Sequence, residues 1–187
     1  DLRRIVDEFS RFARMPEPEK EKESLSRLLR EAATLQETGR PDVRFRAEYC
    51  DEELWSDLDA TMISQALTNL IKNAGEAIDS IKEKGAPEGF APEIRITSEV
   101  RDGEAEIRIM DNGIGLPQDR ARLFEPYVTS REKGTGLGLP IVKKIIEEHG
   151  GSLALEDAPP FAEGAHRGAM AVLRLPLASE IGDRKAV

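Results

Sequence analysis

From Asp59 to Lys82 the residues Met62, Ile63, Ala66, Leu67, Leu70, Ile71, Ala74, Ile78 and Ile81 recur at helical spacing. They place one broad apolar face along a long helix. Such a face must be covered by another layer. The chain supplies one directly afterwards. "KGAPEGFAP" reads as a loop. "EIRITSEV" and "AEIRIM" then alternate apolar and polar residues, with Asp102-Gly103 between them. That pattern predicts a β-hairpin with a tight turn. A long helix on an antiparallel sheet is a two-layer α+β sandwich.

The remaining segments fit this plan. Residues 1–15 carry Leu2, Ile5, Val6, Phe9, Phe12 and Ala13 on one near-heptad stripe. This suits a terminal helix packed on its own domain or one seeking a partner helix. Pro16 and Pro18 end it, and residues 16–23, "PEPEKEKE", read as a charged linker. Ser24 is the expected N-cap of a helix with Leu25, Leu28, Leu29, Ala32 and Leu35 facing inward. "VRFRAEY" predicts a half-buried strand from Val43 to Tyr49. A loop-rich stretch from Asp111 to Gly138 precedes a helix from Leu139 to His149, with Gly150 as its left-handed cap. Strands near Ser152–Glu156 and Ala169–Leu175 close a domain spanning 24–178, and 179–187 form a tail.

Charge and composition exclude several functions. The net charge is −9 and no broad basic stretch occurs, which argues against a nucleic-acid partner. Cys50 is the single cysteine, so no internal disulfide forms. His149 and His166 are the only histidines, and no His/Cys group has metal-ligand spacing. No apolar run is long enough to span a bilayer, so the chain reads as soluble and cytoplasmic. It begins without Met, and a piece of something longer is expected.

The chemistry-bearing stretches lie between the regular elements. In "EKGTGLGLPIVKK", Gly134, Gly136 and Gly138 alternate with Thr135 and Leu137 immediately before a helix. Glycines allow close backbone approach, and a helix N-terminus offers unpaired N–H groups to phosphate. Neither the G-x-x-x-x-G-K-[ST] motif nor a dinucleotide-fold G-x-G-x-x-G after a strand is present. In "DNGIGL", Asp111 ends the second hairpin strand, where a carboxylate can accept a hydrogen bond from an exocyclic amine such as that of adenine. Gly113 and Gly115 would let a base lie against backbone. In "NLIKNA", Asn69 and Asn73 are one helical turn apart on one face, and an amide oxygen suits Mg²⁺. Taken singly, these are equally an ordinary glycine-rich turn, an Asp-Asn-Gly turn and surface amides.

In this order, the motifs resemble the ATP-binding (GHKL, or Bergerat) fold of bacterial sensor histidine kinases. "NLIKNAGEAI" resembles the N box, "DNGIGL" the G1 box, "LFEPYVTS" the F box and "GTGLGL" the G2 box. "HGGSL" and "GAMAVLRLP" match the closing strands. The first helix and the lid sequence look most like the nitrogen-regulation sensors, the NtrY type ahead of the NtrB type. The resemblance implies that the chain binds ATP or ADP with Mg²⁺. Asn73 would be the metal ligand and Asn69 its phosphate-side neighbour. Asp111 would read adenine, with Gly113 and Gly115 shaping the base pocket. Gly134, Thr135, Gly136, Leu137 and Gly138 would line the phosphates, and Arg131 and Lys133 are candidate phosphate contacts. Residues 117–135 would form a lid anchored by Phe124. Residues 1–15 would be the end of the second dimerisation helix. A histidine phosphotransfer domain of the same protein, a response regulator, a homodimeric full-length enzyme and an inner-membrane anchor are implied as well.

The sequence departs from the family pattern in one respect: neither His149 nor His166 lies in an H box, so the phosphoacceptor histidine is expected outside this chain. A second feature separates it from hydrolytic relatives of the fold. Those place a glutamate one turn before the metal-binding Asn, where this chain has Asn69. An amide cannot take a proton from water as a carboxylate can. Phosphoryl transfer is therefore expected rather than hydrolysis. A nucleotide-gated interaction module and an anti-sigma-type serine kinase are the alternatives on this fold.

Overall fold

The long amphipathic helix organises the domain as its spacing predicts. In the computed structural model, which describes residues 2–13, 15–125 and 138–178, it runs Ala60–Lys84. Here it is α3, after α1 (Leu2–Ala13) and α2 (Leu25–Gly39). The Asp59 carboxylate accepts the Met62 N–H at 3.1 Å, and Gly85 ends the helix at φ 97°. This satisfies one orphan donor at the start and provides a left-handed exit at the end. Every apolar residue of the sequence-derived stripe, Met62 to Ile81, is buried.

The stripe lies on a sheet of β2 (Arg44–Glu48), β4 (Glu93–Arg101), β5 (Glu104–Asp111), β6 (Ser152–Asp157) and β7 (Ala169–Pro176). Among the described residues this sheet has five strands in the order β2-β4-β5-β7-β6. All its pairings are antiparallel except β2 with β4. That parallel pair is possible because the chain crosses over through α3 between them. Asp102 and Gly103 both have positive φ (52° and 78°) and form the expected hairpin turn. Ile94, Ile96, Ile107, Ile109, Leu173 and Leu175 face the helices with α2, α3 and α4 (Gly138–Glu148).

Three local readings are revised. The segment read as a linker ends in β1 (Glu21–Ser24), which pairs antiparallel with β3 (Trp55–Leu58). Neither strand was legible, because β1 is highly charged and β3 is short. Leu35 is 65% exposed, not inward. The buried stripe of α2 continues through Ala33, which turns Leu35 out. The strand around Phe45 lies at the sheet edge, so Val43 is buried but Ala47 is exposed.

Candidate functional site

The site forms where β5 ends against α3. Asp111 is the last residue of β5 and only 4% exposed. Its Oδ1 accepts the Gly113 N–H at 2.8 Å and that of Ala169 at 3.4 Å. The first bond closes an Asx turn and the second ties that turn to β7. A Cβ on Gly113 would stand 2.4 Å from the Ala77 carbonyl carbon. Only glycine lets the turn lie flush on α3, and the Ile114 N–H then donates to the Ala77 carbonyl at 2.9 Å. Gly115 follows at φ 84°.

Sequence reasoning missed the residues that support this turn. Asn112 accepts the Glu93 N–H at 2.9 Å and donates to the Ala91 carbonyl at 2.8 Å. It thereby joins the turn to the start of β4. A Cβ on Gly168 would be 2.0 Å from the Asp111 carbonyl oxygen. The His166 Nε2 lies 2.9 Å from the Asn112 carbonyl and 3.0 Å from that of Gly113. The signal available in the sequence was weak: a histidine and a glycine in a polar loop.

Asn69 and Asn73 are half-buried on α3. Ala77, which carries the Gly113 contact, lies one turn beyond Asn73. The amides and the Asp111 turn therefore share one flank of α3. The helix α4 packs against α3 and begins at Gly138. Among the described residues, a Cβ at Gly138 would meet nothing within 4 Å, so their packing does not demand glycine there. A helix start leaves its first N–H groups without partners inside the helix. Arg131, Lys133, Gly134, Thr135, Gly136 and Leu137 lie outside the described residues, as does the lid beyond residue 125. The described part of the segment expected to form a lid, up to residue 125, is tied to the domain. Phe124 packs on the core with Lys143 Nζ 4.7 Å from its ring centroid, and Arg120 pairs with Asp157 at 2.8 Å.

His149 is committed elsewhere. It is 4% exposed. Nδ1–H donates to the Ile145 carbonyl at 2.7 Å and Nε2 accepts the Asp59 N–H at 3.0 Å. Burial holds its basicity below the ordinary imidazole value, outweighing the Ile145 hydrogen bond and the Asp59 charge. Both ring nitrogens serve the fold. Among the described residues, no group of three or more His, Cys, Asp or Glu could hold a metal ion. No helix of these residues is long and apolar enough to cross a membrane.

Comparison with known proteins agrees with this geometry. Residues 58–179 match the family model described as histidine kinase-, DNA gyrase B- and HSP90-like ATPase. The chain is 47% identical over 181 residues to the nitrogen regulation protein NtrY of Azorhizobium caulinodans, covering 96% of this chain and 22% of that protein. It thus spans about a quarter or less of the NtrY-type relatives (22% and 26%). The nucleotide-free catalytic domain of the histidine kinase ThkA superposes with a TM-score of 0.69 at 31% identity, covering 85% of this chain and 96% of that one. ThkA in complex with the response regulator protein TrrA gives 0.72 at 28% identity, covering 95% and 47%. The chain belongs to the family of histidine kinase-, DNA gyrase B- and HSP90-like ATPases, and within it is similar to the catalytic domains of NtrY-type sensor kinases.

Proposed function

We propose that this chain is the nucleotide-binding catalytic domain of a two-component sensor histidine kinase, which moves the γ-phosphoryl group of ATP to a histidine outside the chain. The observation that carries this reading is the meeting of the buried Asp111 carboxylate with the Asn69–Asn73 flank of α3, through the Gly113–Ala77 contact. The donor set fits Mg-ATP: a carboxylate acceptor for the adenine amine, amide oxygens for a hard cation, and a helix start for phosphate. Asp111 would orient the base, with Gly113 and Gly115 beneath it. Asn73 would hold Mg²⁺, with Asn69 beside the phosphates. Gly134, Thr135, Gly136, Leu137 and Gly138 would line the phosphates, and Arg131 and Lys133 would contact them. When bound, Mg²⁺ neutralises developing charge on the phosphate oxygens.

This chain's contribution is binding and orientation. An incoming imidazole nitrogen attacks the γ-phosphorus, the bond to the bridging oxygen breaks and ADP leaves. Asn69 carries an amide at the position where a carboxylate could act as general base toward water, which favours transfer over hydrolysis. Residues 1–15 would be the end of the second dimerisation helix, residues 16–23 the connection and residues 24–178 the catalytic domain. The histidine phosphotransfer domain of the same protein is the acceptor. A response regulator then takes the phosphoryl group, as the ThkA–TrrA complex suggests by analogy. The similarity to the nitrogen regulation protein NtrY supports a role in nitrogen regulation. The full-length enzyme would be a homodimer anchored in the inner membrane, with this domain in the cytoplasm.

The test is γ-labelled ATP mixed with this chain, with and without a separately supplied phosphotransfer domain. Acid-labile, base-stable label on the added domain is expected, and neither Asp111→Asn nor Asn73→Ala should transfer it. Brisk phosphate release without an acceptor, or label on His149 or His166, would refute the reading.

A further inference from the structure

The Asp111–Gly115 turn is held from a side that the motif itself does not include. The segment between β6 and β7 crosses over it and brings His166 to its carbonyl groups. Both partners of Nε2 are carbonyl oxygens, so this nitrogen carries the proton and donates to both. The neighbouring N–H groups point elsewhere: Gly113 donates to Asp111 Oδ1 at 2.8 Å, and Ile114 donates to the Ala77 carbonyl at 2.9 Å. The turn's carbonyls therefore face His166, while its N–H groups face Asp111 and α3. The imidazole is itself backed by Phe90, whose ring centroid is 6.1 Å away. Gly168 and Arg167 complete the cover, the first against the Asp111 carbonyl and the second with its own carbonyl 3.1 Å from a Cβ placed on Gly115.

We infer that His166 is a positioning residue for base recognition: by donating to the Asn112 and Gly113 carbonyls, it fixes the turn that orients the Asp111 carboxylate toward an adenine amine. The inference rests on the proposed nucleotide site and deepens it. Without the imidazole, two adjacent carbonyls lose their shared donor and the peptide planes between them are freed. The Gly113 N–H then holds Asp111 Oδ1 less well, and the carboxylate plane is set less tightly. The phosphate and metal contacts proposed for α3 and α4 do not involve the His166 contacts, so the loss is expected to fall on the base.

The experiment is calorimetry of ADP and GDP binding to the wild-type chain, His166→Ala and His166→Gln, with thermal midpoints recorded to confirm folding. Gln carries an amide N–H near the position of Nε2. His166→Ala is expected to weaken ADP about five- to tenfold, to shrink the ADP-over-GDP preference, and to speed exchange of the Gly113 amide in the nucleotide-free protein. His166→Gln is expected to restore most of all three. A purely structural role would lower the midpoint and leave the preference of folded molecules unchanged. Should the alanine variant not fold, His166→Asn, too short to reach the carbonyls, replaces it with the same expectation. An unaltered ADP-over-GDP ratio in the folded variant overturns the role of His166 alone. A wild-type chain that bound no adenine nucleotide would overturn the proposed function and the base-recognition role together.

Discussion

The His149 imidazole accepts the Asp59 backbone N–H across 3.0 Å, joining the end of α4 to the N-cap of α3. Asp59 is a junction in its own right. Its Oδ1 caps α3 through Met62, and its Oδ2 accepts the Glu19 N–H at 3.0 Å from the segment leading into β1. The two helices that flank the proposed nucleotide site are thus pinned to each other, and to the incoming chain, at the end away from Gly113.

This junction predicts a pH dependence. Burial lowers the His149 pKa from its ordinary 6.5 in the folded chain, so the unfolded chain binds the proton more readily. Stability from the neutral imidazole is fully present above 6.5 and declines as pH falls below it toward the folded value. His149→Leu leaves the Asp59 N–H without its acceptor and should cost about 1–3 kcal/mol at pH 7.5. Urea melts from pH 7.5 to 5 check this: the gap between wild type and variant should narrow toward acid pH. A constant gap would contradict it.

Two glycines near the site should differ in how alanine affects stability. At Gly113 the new methyl meets α3 backbone, 2.4 Å from the Ala77 carbonyl carbon and 2.6 Å from Ile78 N. The helix is buried there and has little room to shift. Gly113→Ala is expected to destabilise by about 1–3 kcal/mol and to abolish adenine binding with it. At Gly138 a methyl meets nothing among the described residues, so Gly138→Ala should change stability by no more than about 0.5 kcal/mol. Its ATP affinity should nevertheless fall, because the added methyl obstructs phosphate at the start of α4. Chemical denaturation and calorimetry on both variants separate packing from ligand approach.

The outer face of the sheet offers a test remote from the site. The Glu106 side chain is fully covered and lies 2.8 Å from Arg108, 3.0 Å from Arg174 and 3.4 Å from Arg101. Burial alone would raise its pKa, but the Arg108 charge and the hydrogen bonds from Arg108 and Arg174 outweigh it and hold the carboxyl below 4.5. Its contribution is present above 4.5 and is lost as pH falls through the folded value. Glu106→Gln should cost roughly 1–3 kcal/mol near neutral pH and less in acid. Nucleotide affinity should be unchanged, because α3 and the Asp111 turn lie on the opposite face. Thermal melts and calorimetry together check both halves.

Much of this protein was determined by local sequence alone. The α3 stripe from Met62 to Ile81, the Ser24 cap, the Asp102-Gly103 turn and the Gly150 exit follow from spacing and backbone preference, which act between near neighbours. The order of the N, G1 and G2 stretches likewise announced the family, because Asn73, Asp111 and Gly138 are short motifs of unusual residue types. Tertiary structure alone decided the rest. The β1–β3 ribbon forms because charged Glu21–Ser24 finds a partner more than thirty residues away, and no local pattern marks that pairing. Leu35 is exposed because the buried stripe of α2 follows Ala33 instead. Gly113 is tied to Ala77, and His166 to the carbonyls of Asn112 and Gly113, across long stretches of chain. Hydrogen bonding and close packing between distant segments depend on how the layers meet, and that is settled only when the whole domain has folded.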